Sequence, residues 1–267
     1  MRIRATVAAV TGALALSAFA VPAAQAAGNP LSAVTFSNVV VNAGKNVVVG
    51  ATAQVTVTAT YTVTHPANVA ASSFESGPVL YRGTSITAPS DILGGDDAGT
   101  CTASSSTVLK CTAKIQFRPA STDETEDLFN TEAGAWKVGA VAVATSGTNI
   151  KWQGDLGAKN IQRLSKLTVN AAPEPVKKGK TITVTGALTR ANWDSGKYAG
   201  YAAQPVKLQF KKKGATAYTT VKTIKTSSTG ALKTTVTASA DGYYRYVFAG
   251  TTTTPAVNAA ADYIDVQ

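Results

Sequence analysis

His65 is the only side chain in this sequence whose ordinary pKa lies near neutrality. It ends an alternating stretch, Thr62-Val63-Thr64-His65, and a proline follows at once. A Ser-His-Asp hydrolase would need this one imidazole as its base. No Gly-x-Ser-x-Gly elbow is present to supply the nucleophile. His65 therefore reads as a turn residue. Paired carboxylates are the next candidates. Asp123, Glu124, Glu126 and Asp127 fall within five residues, in a stretch from Ser121 to Asn130 that carries the only helical signal. Ser121 and Glu124 have the spacing of a capping box there. Glycosidase carboxylates must face each other across a cleft. Four on one turn read instead as the acidic start of a helix. The same four, with Asp91, Asp96 and Asp97, could offer oxygens to Ca²⁺. Neither segment matches an EF-hand loop or a glycine-rich calcium repeat. The expectation is no catalytic residue and no cofactor. A calcium site at Asp123, Glu124, Glu126 and Asp127 stands as the metal alternative.

Binding chemistry has more to draw on. Residues 164–267 hold 14 Lys and Arg against 5 Asp and Glu, a net +9, while residues 27–163 hold 9 against 10. All the excess positive charge thus belongs to the second half. Lys177, Lys178 and Lys180 lie at one turn, and Lys211, Lys212 and Lys213 at another. A field of one sign concentrates acidic partners. For an exported chain these are acidic glycans, teichoic-type polymers and anionic lipids, not nucleic acid. Trp193, Tyr198 and Tyr201 stand in a long connection between strands, where aromatic rings can stack on sugars or anchor a protein partner.

The first 26 residues are targeting sequence. Arg2 and Arg4 precede an alanine-rich apolar stretch from Ala5 to Val21, and Ala24-Gln25-Ala26 offers small residues for cleavage. No second apolar run is long enough to span a bilayer, and no cell-wall sorting signal ends the chain. The expectation is an exported, released protein without a membrane span. The two cysteines suit that compartment. Cys101 and Cys111 flank a Ser-rich turn, so a bridge across a hairpin is predicted. Closing so short a loop contributes roughly 3 kcal/mol on the chain-entropy view. The spacing and the lack of further ligands exclude a zinc or redox motif.

The elements that must position these residues are strands. Threonine occurs 38 times, which disfavours helix. Gln54–Val63 alternates strictly, with Val55, Val57, Ala59, Tyr61 and Val63 on one face. Val34–Val41, Val79–Arg82, Val108–Phe117 and Trp136–Thr145 read alike. A second set begins near Leu164. Its strands run through Ile182, Val184 and Leu188; Val206, Leu208 and Phe210; Leu232 to Ala238; Tyr244, Tyr246 and Phe248; and Tyr263 to Val266. Glycines punctuate it at the spacing of an immunoglobulin-like sandwich. Asp241-Gly242-Tyr243-Tyr244 looks like the start of a tyrosine corner. Ala171–Pro175 reads as stiff and extended. No flexible linker separates the halves, so the two sandwiches are expected to stack semi-rigidly.

Three stretches of the second half resemble successive parts of an immunoglobulin-like module common in secreted actinobacterial proteins. They are Asn170 to Gly186 (NAAPEPVKKGKTITVTG), Val206 to Phe210 (VKLQF) and Asp241 to Gly250 (DGYYRYVFAG). Thr229-Gly230-Ala231-Leu232-Lys233 is similar to one of its middle strands. Val39 to Lys45 and Ala133 to Val138 resemble, more faintly, the partner domain of such two-domain proteins. The resemblance implies a β-sandwich and a loose association with calcium. It defines no catalytic residue.

The reading is an all-β protein of two stacked immunoglobulin-like sandwiches after a cleaved signal peptide (1–26), with domains at 27–163 and 164–267. It would be a secreted, non-enzymatic adhesion or interaction protein of the cell envelope or the extracellular space. Its basic domain would bind acidic cell-surface polymer or a protein partner through Trp193, Tyr198, Tyr201, Lys211, Lys212 and Lys213. The rival readings are a secreted calcium-binding protein, and a secreted hydrolase or inhibitor with an unrecognised site.

Overall fold

The computed structural model describes residues 28–120 and 128–267. The targeting segment lies outside the described residues, as do Asp123, Glu124, Glu126, Asp127 and the capping box. The described chain is all-β: nineteen strands and three short 3₁₀ turns. It divides into two compact units. Unit 1 holds the described residues up to Val47, with Gln54–Phe117 and Ala135–Ile161; unit 2 holds Val48–Ala53, Arg118–Gly134 and Gln162–Gln267.

The first nine strands are β1 (Thr35–Val41), β2 (Val47–Val49), β3 (Val55–Thr64), β4 (Phe74–Arg82), β5 (Asp91–Leu93), β6 (Thr100–Ala103), β7 (Val108–Phe117), β8 (Gly134–Ala144) and β9 (Ile150–Arg163). They form two sheets, ordered β1-β3-β7-β6 and β2-β9-β8-β4-β5. The alternation read in β3 places Val57, Ala59, Tyr61 and Val63 in the interior. They pack with Phe36, Phe74, Leu109, Ala140 and Ala142, so both sheets contribute to one core. Fully burying a large apolar side chain of this kind contributes about 1.5–3 kcal/mol. Cys101 and Cys111 stand directly opposite each other on β6 and β7 and form the predicted disulfide. Its Cys111 end lies in the core and its Cys101 end at the surface.

β9 has no signature in the sequence. Its residues follow no apolar alternation, and Asp155 (φ 56°) and Gly157 (φ 143°) break its extended run. Polar side chains fix it instead. The Gln153 amide accepts from the Phe36 N–H (2.8 Å) and donates to the Phe36 carbonyl (3.0 Å), standing in for a strand partner on β1. The Tyr81 hydroxyl donates to Asp155 Oδ1 and accepts from the Asp155 N–H, both at 3.0 Å. That hydroxyl would lie 2.7 Å from a Cβ at position 154, which accounts for Gly154.

Unit 2 is built on β10 (Ser165–Leu167), β11 (Asn170–Ala172), β12 (Thr181–Asn192), β13 (Lys197–Gly200), β14 (Pro205–Lys212), β15 (Thr219–Lys225), β16 (Ala231–Thr237), β17 (Gly242–Phe248), β18 (Val257–Asn258) and β19 (Asp262–Ile264). In one sheet β12 is the hub, paired with β10, β11, β13 and β16. The other runs β15-β14-β17-β18, with β19 also on β17. Ile182, Val184, Leu188, Val206, Leu208, Leu232, Tyr244, Tyr246 and Phe248 close the core between them.

Three expectations change in unit 2. The tie across the sandwich comes from Tyr246, whose buried hydroxyl donates to the Val184 carbonyl at 3.0 Å, and not from the start of the strand. Gly186 leaves room for this crossing, because a Cβ there would run into the Thr168 carbonyl and the Tyr246 ring. The segment read as stiff and extended bends after β11, and its bonds Ala172–Pro173 and Glu174–Pro175 are cis. The long connection around Trp193 is a hairpin, in which β13 folds back on β12 and pairs Tyr198 with Ala191.

Candidate functional site

The aromatic trio expected to bind ligand does not form a platform. Trp193 is completely buried. Its indole N–H donates to the Val49 carbonyl at 3.3 Å, and its backbone N–H donates to Asn130 Oδ1 at 2.9 Å. Asn130 also donates through its backbone N–H to Asp194 Oδ1, and through its side-chain amide to Asn192 Oδ1 and Asp194 Oδ2. Trp193 therefore anchors the hairpin to Val48–Ala53 and Arg118–Gly134, the upstream segments of unit 2. A ring with no exposed face cannot stack on a sugar, so Trp193 is withdrawn as a ligand contact.

Tyr198 and Tyr201 sit in separate surroundings. The Lys166 ammonium lies 3.7 Å from the centre of the Tyr198 ring. Tyr201 meets Phe248 edge-on at 5.8 Å and carries the Arg190 guanidinium at 3.9 Å. Burial raises the Tyr201 pKa, but hydrogen bonds with Thr251, Thr253 and Thr254 and the charge of Arg190 outweigh it and leave the phenol lowered. Beneath them Arg163 donates from Nε to the Ala191 carbonyl. Burial, and then the like charge of Arg190, lower Arg163 to about 10. It stays cationic at neutral pH, and this polar cluster serves the packing of the sandwich.

The predicted lysines lead to a different surface. Along β17 burial alternates strictly, with Tyr244, Tyr246 and Phe248 inward and Tyr243, Arg245 and Val247 outward. Lys211 is opposite Tyr243, and Gln209 is opposite Arg245. Tyr263 on β19 stands opposite Tyr243 on the other side. Tyr218 precedes β15 and closes the row. The Arg245 guanidinium lies 3.7 Å from the centre of the Tyr218 ring. The Lys211 ammonium sits between Tyr218 and Tyr243, at 5.2 and 5.1 Å. The Tyr243 and Tyr263 rings are 5.2 Å apart, and Lys213 is 5.7 Å from the Tyr263 ring. Cation–ring pairs of this kind contribute about 0.5–1 kcal/mol at exposed sites. They hold long, flexible side chains in place.

Lys213 is raised above its ordinary pKa by its hydrogen bond to Tyr263, and next by that residue's charge and by Asp241. Asp241 is lowered, first by accepting the Val266 N–H. Lys212 is exposed at the end of β14. Of the residues named from sequence, Lys211 and Lys213 thus belong to the row. Tyr218, Tyr243, Arg245 and Tyr263 were missed as site residues. The signal that could have found them is the opposite face of the Tyr-Tyr-Arg-Tyr strand, whose inward tyrosines drew attention to the core.

His65 is buried, with Nδ1 3.1 Å from the Pro66 carbonyl and its ring edge-on to Phe74 at 5.9 Å. Asp91 lies 3.7 Å from Arg82, and the Asp96 N–H donates to Gln116 Oε1. Among the described residues no group of three or more His, Cys, Asp or Glu side chains could hold a metal ion. Also among them, no helix is long and apolar enough to cross a membrane. Unit 1 has a pocket of about 60 Å³ beside Trp152, Pro78 and Val141, rimmed by Glu75 and Asp97. It is far smaller than the roughly 300–1,000 Å³ of ordinary ligand sites.

No protein-family profile and no curated protein matches the chain. Among solved structures, a chimeric titin Z1Z2 tandem is similar at 10% identity, over 84% of this chain and 95% of that one, with a TM-score of 0.29. The adhesin InvE of Yersinia pseudotuberculosis is similar at 13% identity, over 86% of this chain and 58% of that one, with a TM-score of 0.28. The D00-D0 domain of intimin is similar at 14% identity, over 86% and 99%, with a TM-score of 0.26.

Proposed function

We propose that this chain is an exported, non-enzymatic β-sandwich protein that attaches to acidic polymer at the cell envelope through its basic second half. The observation that carries the reading is the charge division: 14 basic against 5 acidic residues in 164–267, beside a near-neutral first half. A concentration of positive charge of this size draws anionic polymer toward the part of the chain that carries it. Export is supported by the targeting features of residues 1–26 and by a disulfide of the kind that persists in oxidising compartments. Lys211, Lys212 and Lys213 supply a local concentration of the charge.

The test is retention of residues 27–267 on anionic cell-wall fragments, compared with fragments whose acidic groups have been chemically blocked. Wild type is expected to be retained on the first and released from the second. The triple variant Lys211→Gln, Lys212→Gln, Lys213→Gln is expected to be retained less. Equal retention on both fragments, or by both proteins, would refute the proposal.

A further inference from the structure

We infer that the outward side of the β14–β17 sheet recognises an acidic polysaccharide whose sugar rings carry carboxylates. Tyr218, Tyr243 and Tyr263 would present ring surface to the sugars, and Lys211 and Arg245 would pair with the carboxylates. The inference rests on the acidic-polymer reading above and gives that reading a chemical class and a place.

Charge alone would need only the solvated lysines of the turns. This surface adds three half-buried tyrosines in a row that crosses neighbouring strands, from Tyr263 through Tyr243 and Lys211 to Tyr218. Strand neighbours lie about 4.8 Å apart, so the row presents rings and cations at a short, regular interval across the sheet. A polymer of charged rings suits such a mixed row, since each repeat brings one flat apolar face and one anion. The cations are also set in position. Arg245 is braced by the Tyr218 ring and by its Nε bond to Gln209 Oε1 at 2.9 Å, which leaves the terminal nitrogens of its fork for a carboxylate. Among the described residues no acidic side chain forms an ion pair with Lys211 or Arg245, whereas Lys213 has Asp241 at 3.5 Å. Holding the cations in place before binding lowers the entropy cost of engaging a flexible chain. The large exposed hydrophobics, Val40, Ile150, Leu164 and Val221, include none of these row residues, so the row has no aliphatic anchor to insert into a bilayer.

The probes are polygalacturonate, poly-glutamate as a carboxylate polymer without sugar rings, and dextran as a sugar polymer without charge. Residues 27–267 are expected to bind polygalacturonate at least about tenfold more tightly than poly-glutamate, a difference of roughly 1.4 kcal/mol, and to leave dextran unbound. The double variant Tyr243→Ser, Tyr263→Ser is expected to erase that preference, costing polygalacturonate far more affinity than poly-glutamate. Tyr243→Phe, Tyr263→Phe keeps both rings and is expected to retain the preference. Unchanged melting curves serve as the check on folding. If poly-glutamate binds as tightly as polygalacturonate, or if the serine variant weakens both alike, this inference falls and the charge reading stands. If neither anionic polymer binds, both fall.

Discussion

Replacing Trp193 separates a structural anchor from a ligand contact. The indole is fully buried, so Trp193→Ala removes the whole side chain and leaves a cavity between the hairpin and the upstream segments it holds. Truncations of this type cost about 3–5 kcal/mol. Trp193→Phe should cost much less. The Val49 carbonyl that accepts the indole N–H also accepts the Leu164 N–H at 2.9 Å, so it keeps a partner. The Trp193 backbone bond to Asn130 survives either change. The phenylalanine variant thus loses one hydrogen bond, about 0.5–1.5 kcal/mol, and some volume, for a total of about 1–2 kcal/mol. Denaturant unfolding with linear extrapolation measures both. The alanine variant should also melt about 10 °C lower, and both should keep wild-type affinity for acidic polymer under native conditions. An alanine variant that is as stable as wild type but no longer binds would refute the placement of Trp193 as an anchor.

Other consequences follow from single contacts. Burial raises the Tyr246 hydroxyl to about 12. The unfolded chain therefore releases this proton from about pH 10 while the folded chain keeps it, and stability falls as pH rises from about 10 to 12. Tyr246→Phe should be less stable at pH 7, through loss of the bond to Val184, but its stability should fall less steeply with alkali in pH-dependent melts. Replacing both cysteines with Ala should cost about 2–4 kcal/mol in denaturant unfolding, and the intact mass of the wild-type protein should be two hydrogens below that of the reduced chain. Gln153→Ala removes both bonds to the Phe36 main chain, and should accelerate hydrogen exchange at the Phe36 amide well beyond that of β3 amides.

Strands whose apolar residues alternate were legible from sequence. β3 and β7 lie almost where the pattern puts them, because one face of each meets the core and the other meets solvent. β9 was not legible. Its position depends on Gln153, Gly154 and Asp155 meeting partners on other strands, and no local period records that. β15 was missed for a related reason: it is an edge strand with nearly every residue exposed, so burial imposes no alternation. The disulfide was legible because ten residues and a Ser-rich turn put both cysteines at facing positions. The site was half legible. Lysine clusters can be counted along the chain, but the Tyr–cation row is assembled by cross-strand register among β14, β17 and β19. Trp193 misled because an aromatic in a polar stretch resembles a loop-borne contact. Only the arrival of Val49 and Asn130 from distant sequence shows what buries it.

The most direct test of the account is the affinity of residues 27–267 for soluble polygalacturonate, measured by calorimetry from 0.1 to 1 M salt. Over this range the Debye length falls from about 10 to about 3 Å. The account predicts a steep loss of affinity, at least about tenfold, and a shallower salt dependence for the Lys211→Gln, Lys212→Gln, Lys213→Gln variant. An affinity that ignores salt, or a triple variant indistinguishable from wild type at every salt concentration, would contradict charge-driven attachment through the second half of the chain.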